Sequence, residues 1–148
     1  MYKAFDTKAS LEKEGVWVEY GEFRVKVGYA GGANKKYVGY AEKKFKPLRR
    51  AIATDALDDK RSRDVMIDIY ARTIVFAWQV LVDKDADPDK DESWKDGIGM
   101  PDGSIGEVTP ENIIIVFKKF RPLFQDIMSQ ADSIANYRAE FLEEEAGN

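Results

Sequence analysis

The chain contains no cysteine and no histidine. Without thiols there are no disulfides, no iron–sulfur clusters, no thiolate zinc sites and no thiol catalysis. The missing histidine is the stronger restriction. It removes the Ser-His-Asp triad, the commonest metal ligand and the usual general base near neutral pH. No apolar run approaches the roughly 20 residues that a membrane span needs. The first residues, MYKAFDTKAS, lack the apolar core of a signal peptide. The expectation is a soluble protein of a reducing cytoplasm with no membrane partner.

The excess of charge of either sign is also small. Against 27 acidic residues stand 23 basic ones, and the net charge of −4 is too small to name a partner. The 148 residues, 44% apolar and 34% charged, fit one domain, residues 1–148, that buries roughly two thirds of its unfolded surface.

The richest stretch runs from Gly15 to Arg50. Val16-Trp17-Val18-Glu19-Tyr20 and Phe23-Arg24-Val25-Lys26-Val27 alternate in polarity and are dense in β-branched and aromatic residues. Gly21 and Glu22 separate them. Glycine at the first position of a two-residue loop suits a type II′ turn, which fixes the register. Tyr20 then faces Phe23, Val18 faces Val25 and Val16 faces Val27, all on one apolar face. On the other face Glu19 meets Arg24 and Trp17 meets Lys26. Such cross-strand pairs contribute a few tenths to about 1 kcal/mol each. A lone hairpin is unstable in water, so its apolar face must lie on helices or its edges must pair.

Elsewhere the pattern is helical, which makes the expected fold α+β, mainly α: an N-terminal hairpin packed on a bundle of about four to five helices. Residues 1–14 read as a polar arm, 15–29 as the hairpin and 30–34 as a glycine-rich joint with Asn34 at a helix N-cap. Helices are expected over 33–82. Pro47 kinks the first of them or starts a new turn carrying Leu48 and Ile52. Leu57 and Asp58 introduce the next, in which Met66, Ile69, Tyr70, Thr73, Ile74, Ala77, Trp78 and Leu81 form a stripe at 3- and 4-residue steps. Residues 83–108 lose this period and read as an acidic, mobile loop, with a turn at Met100-Pro101-Asp102-Gly103. Thr109 and Pro110 announce the C-terminal helices, 109–146, which Pro122 interrupts.

Four features invite a chemical reading. The basic helix carries Lys35, Lys36, Lys43, Lys44, Lys46, Arg49 and Arg50, with Tyr37 and Tyr40 between them. That composition suits phosphates and stacked bases. In a chain that is acidic overall, a solvated face or a rim for an acidic protein partner is favoured over a nucleic-acid surface. The alternating Asp83, Asp85, Asp87, Asp89 and Asp91 evoke calcium. An EF-hand loop needs glycine at its sixth position and glutamate at its twelfth, and neither register supplies them. Gly31-Gly32 lacks the Lys-Ser/Thr continuation of a phosphate loop. No carboxylate pair sits in an apolar context that would raise a pKa. No catalytic residue, cofactor or metal ligand is expected.

The run LEKEGVWVEYGEFRVKVGYAGGANKKY, followed by KPLRRAI, IYARTIVFAWQVLVD and TPENIIIVFKKF, resembles the tail assembly chaperones of long-tailed, siphovirus-like bacteriophages. The likeness covers most of the chain, and the acidic segment 83–96 departs from it by its length. The resemblance implies a non-enzymatic protein of the infected host's cytoplasm, absent from the finished virion. It implies binding to the tape measure protein and recruitment of major tail tube protein subunits. On that reading the hairpin and basic helix contact other chains, either tail partners or further copies. The candidate contact residues are Trp17, Tyr20, Phe23, Arg24, Lys26, Lys35, Lys36, Lys43, Lys44, Arg49 and Arg50. A nucleic-acid-binding module using residues 35–50 is the competing reading.

Overall fold

A computed structural model describes residues 15–133. The expected arm 1–14 and the expected helical continuation through Ile134, Ala135, Phe141 and Leu142 lie outside the described residues.

The hairpin forms in the register its alternation dictates. Strand β1 (Val16–Glu19) pairs antiparallel with β2 (Phe23–Val27), setting Glu19 opposite Arg24, Val18 opposite Val25, Trp17 opposite Lys26 and Val16 opposite Val27. Tyr20 N–H donates to the Phe23 carbonyl at 2.8 Å and closes the loop. Gly21 takes φ +90°, the left-handed sign that a primed turn requires.

Helix α1 (Lys35–Phe45) starts where Asn34 Oδ1 accepts from Tyr37 N–H at 3.1 Å. Pro47 lacks the N–H that would continue it, so the chain tightens into a 3-10 turn, Lys46–Leu48, and resumes as the short α2 (Arg49–Ala53). Helix α3 (Asp59–Thr73) is capped by Asp58, whose carboxylate accepts from Arg61 N–H at 2.7 Å.

The expected helix over 57–82 stops at Thr73. Residues Val75–Leu81 are instead strand β3, antiparallel to β2, with Phe23 opposite Val80, Val25 opposite Trp78 and a bulge after Lys26. Two physical causes are visible. Thr73, Ile74 and Val75 are consecutive β-branched residues, which disfavour a further turn of helix. The exposed ladder of β2 also needs a partner that the hairpin alone cannot provide. The crossing is tight. Gly28 N–H donates to the Ile74 carbonyl at 2.7 Å, and a Cβ on Gly28 would lie 2.3 Å from the Phe76 ring.

Residues 83–108, expected as a structureless loop, are also corrected. They hold a 3-10 turn (Asp91–Ser93) and three short strands, β4 (Trp94–Asp96), β5 (Ile98–Gly99) and β6 (Ile105–Gly106). Strand β4 completes a four-stranded sheet of order β1-β2-β3-β4, while β5 and β6 form a separate pair. The turn at Met100–Gly103 joins that pair, closed by Gly103 N–H on the Met100 carbonyl at 2.9 Å. Sparse apolar anchors suffice to order the segment. Trp94 is 7% exposed and Ile98 is fully buried.

Helix α4 (Pro110–Lys119) begins as its sequence dictates, with Thr109 Oγ1 accepting from Asn112 N–H at 3.2 Å and Pro110 in the first turn. The chain breaks at Phe120 and is helical again over 121–133 (α5). The fold is α+β and mainly helical. Its core joins one face of the sheet to three helices through Val25, Val27, Ile69, Trp78, Phe117 and Ile127. The hairpin therefore reaches the bundle as half of a larger sheet rather than as an independent ribbon.

Candidate functional site

The outer face of the sheet is built around Arg24. Antiparallel pairing sets Arg24, Gln79 and Asp96 in one row across β2, β3 and β4, with Trp17 on β1 and Trp94 on β4 at diagonal positions. The Arg24 guanidinium lies 4.2 Å from the Trp17 ring centre and 4.6 Å from that of Trp94, so two indoles sandwich it. It donates to Gln79 Oε1 at 3.0 and 2.7 Å, and Gln79 Nε2 donates to Asp96 at 3.0 Å. The expected Glu19–Arg24 pair holds as register only. Among the described residues no carboxylate lies in ion-pair distance of Arg24, because the arginine is committed to the indoles and Gln79. Lys26 stands 5.6 Å from the Trp17 ring centre, as the cross-strand pairing predicts.

The basic helix is less free than its sequence suggests. Tyr37 packs edge-on against Tyr70 with ring centres 6.1 Å apart. Tyr40 donates to Asp68 Oδ2 at 2.6 Å. Arg72 Nε reaches the other oxygen of Asp68 at 2.8 Å, and Lys44 Nζ comes within 3.6 Å. Burial works against the charged form of Asp68. The bonds from Tyr40 and Arg72 and the nearby cations outweigh it, and the carboxyl is held below its ordinary value. Burial and the bond to Asp68 push the Tyr40 hydroxyl up. Arg49 pairs with Glu42. Lys35, Lys36, Lys43 and Arg50 remain exposed and lack an ion pair among the described residues. The two interleaved tyrosines thus serve to dock α1 on α3, and their rings are not presented for stacking.

An open concavity lies on the other side, between the sheet end and the α4–α5 corner. It has a volume of about 670 Å³. Phe23, Trp78, Val80, Val116, Phe120 and Leu123 line it, with Ile105 and Val82 alongside. Phe120 is 44% exposed, Val82 44% and Ile105 55%, so the apolar lining continues onto open surface. Four exposed charged residues, Glu22, Asp83, Lys84 and Lys95, also line it. The wall is rigid. Phe23 stacks between Tyr20 at 5.0 Å and Trp78 at 5.7 Å, and Trp78 touches Phe117 at 5.9 Å. Tyr20 in turn donates to Asp126 at 2.6 Å and ties the hairpin to α5. Burial, reinforced by that carboxylate, pushes the Tyr20 hydroxyl far above its ordinary value.

Of the sequence-predicted contact residues, only Phe23 lines this groove. Tyr20 buttresses it from behind. Trp17, Arg24 and Lys26 occupy the outer face, and the six cations of 35–50 lie on α1 and α2. Sequence reasoning missed Trp78, Val80 and Phe120, because it placed the first two in a helix and took the third as helical core. The available signal was the β-branched and aromatic content of the short apolar run Val75-Phe76-Ala77-Trp78-Gln79-Val80-Leu81, which fits a buried strand as well as a stripe. The aspartates of 83–91 are exposed, and two of them accept bonds from the local backbone. Asp83 accepts from Asp85 N–H at 2.9 Å and Asp87 from Asp89 N–H at 3.0 Å. Among the described residues no three carboxylates converge as a metal site requires. No described helix is long and apolar enough to cross a membrane. No family model matches the chain, and no curated protein or solved structure is significantly similar to it.

Proposed function

We propose that the protein is a tail assembly chaperone of a long-tailed bacteriophage. It works in the host cytoplasm by binding the tape measure protein, helps recruit tail tube subunits, and leaves before the virion is complete. The observation that carries this reading is the open apolar groove between sheet and α4–α5 corner. An amphipathic helix lays its apolar face into such a groove, with anchors at helical spacing. A tape measure protein is long, helical and prone to aggregate, so it presents that ligand in quantity. The resemblance of 11–37, 46–52, 69–83 and 109–120 to this family supplies the identity of the client. The groove supplies a place and a driving force, since apolar area removed from water yields about 25 cal/mol per Å².

Co-expression with the tape measure protein encoded downstream tests the reading. The native chain should hold that client in the soluble fraction and co-purify with it. Phe120→Glu and Val82→Glu place charge on exposed positions of the groove and should abolish co-purification while leaving the circular dichroism unchanged. Full retention of the client by both folded variants would refute the proposal. The competing nucleic-acid reading has no specific support, because Tyr37 and Tyr40 are committed to Tyr70 and Asp68.

A further inference from the structure

A second cavity, of about 220 Å³, lies where the first turns of α3 meet the α4–α5 corner. Its lining is Lys60, Arg63, Asp64, Ile67, Lys118 and Arg121. Lys60, Arg63, Asp64 and Ile67 follow helical spacing and share one face of α3. Lys118 lies in the last turn of α4 and Arg121 opens α5, so the break at Phe120 brings both side chains to one cavity. Four cations therefore converge against one carboxylate. Among the described residues none of the four has an ion-pair partner, in contrast to Lys44, Arg49 and Arg72. Like charges gathered in a concavity repel one another, and an incoming anion relieves that repulsion.

We propose that this cavity binds carboxylate side chains of an acidic polypeptide segment. Two guanidinium groups offer planar forks that grip a carboxylate through paired hydrogen bonds, and the lysines add point charge. A nucleic acid is the poorer ligand. The lining holds no aromatic ring for a base to stack on, and Asp64 faces whatever enters. The occupant that the charges fit is the exposed stretch Asp83–Glu92 of a second copy, which carries six acids and two lysines. The site is independent of the apolar groove and does not rest on the chaperone reading.

Titration of a hexaglutamate peptide into the isotope-labelled full chain at low salt tests the site. Amide signals of Lys60, Arg63, Ile67, Lys118 and Arg121 should move together. The double variant Arg63→Gln, Arg121→Gln should weaken binding by about tenfold. Asp64→Asn should tighten it by about two- to fivefold, a gain that loss of folding cannot imitate. Lys35→Gln, Lys36→Gln on α1 should change nothing. Absence of shifts at the cavity, or equal binding by the double variant, would overturn the proposal. So would tighter binding of an oligothymidylate of equal charge at these residues. The same shifts should rise with protein concentration alone, as the loop of a second copy fills the cavity. Shifts that appear only with added peptide would overturn that occupant.

Discussion

The two flanks of the four-stranded sheet solve opposite problems. On the outer face the central polar groups have found partners within the chain: Arg24 has two indoles and Gln79, and Gln79 has Asp96. At the groove, aromatic and aliphatic side chains are held rigid from behind yet left open in front. A satisfied polar network stabilises the chain that contains it and has little left to offer a ligand. An unfilled apolar concavity does the reverse, since the free energy of covering it is still available. The hairpin contributes to both, with Arg24 on one flank and Phe23 on the other. Its sequence therefore marks an important region without saying which flank meets a partner.

Substitutions on the outer face should break the first half of this contrast, with effects on stability rather than binding. The largest is expected for Trp94→Ala. Trp94 is almost fully buried, stacks on Arg24 and donates from Nε1 to the Pro88 carbonyl at 2.9 Å. Its loss should lower unfolding free energy by about 3–5 kcal/mol in urea titration. It should also release the segment 83–93 to protease, which would show that one anchor orders that segment. Gly28→Val follows. Its side chain would overlap the Phe76 ring, and overpacking of that kind costs about 1–3 kcal/mol. Arg24→Met keeps the aliphatic stem but discards the charge between the indoles and the bonds to Gln79. A loss of about 1–2 kcal/mol is expected, with client binding intact. Loss of client binding at unchanged stability would instead move the functional surface to this flank.

Acid should separate the regions further. The folded-state pKa of Asp68 lies below its ordinary value of 3.8. A carboxyl of that kind contributes stability above the unfolded-state pKa and loses it as pH falls through the folded one. Stability should therefore decline below about pH 4, and Asp68→Asn should flatten that decline. Denaturant titrations from pH 6 to pH 2.5 measure both curves. An unchanged acid limb in the variant would show that the contacts of Asp68 with Tyr40, Lys44 and Arg72 are not what anchors the basic helix.

How much of this was legible in the sequence divides at Thr73. The hairpin register, the Asn34, Asp58 and Thr109 caps, the break at Pro47 and the turn at Met100–Gly103 all follow from local rules, and each forms as those rules dictate. Strand β3 does not follow from local rules alone. Its apolar residues fit a helical stripe, and what decides against it is the open ladder of β2, some fifty residues earlier in the chain. The segment 83–108 failed for a related reason. Its acid density masks Trp94 and Ile98, whose burial depends on surfaces made elsewhere. The groove inherits both errors, because Trp78, Val80 and Ile105 belong to those two segments.

The smallest expected stability effect tests the open flank. Ile105 is 55% exposed and sits on the two-residue strand β6 beside the groove. Ile105→Ser removes apolar surface that water already reaches, so unfolding free energy should change by no more than about 0.5 kcal/mol. An apolar fluorescent dye that seeks exposed hydrophobic surface should bind the native chain at the groove and lose affinity in the variant. The outer-face variant Arg24→Met, though less stable, should keep the dye affinity of the native chain. That crossing of effects, stability without dye on one flank and dye without stability on the other, is what the contrast requires. If both variants lost dye and stability in proportion, the groove would be part of the same structural unit as the outer face. It would then have no separate capacity to hold a client.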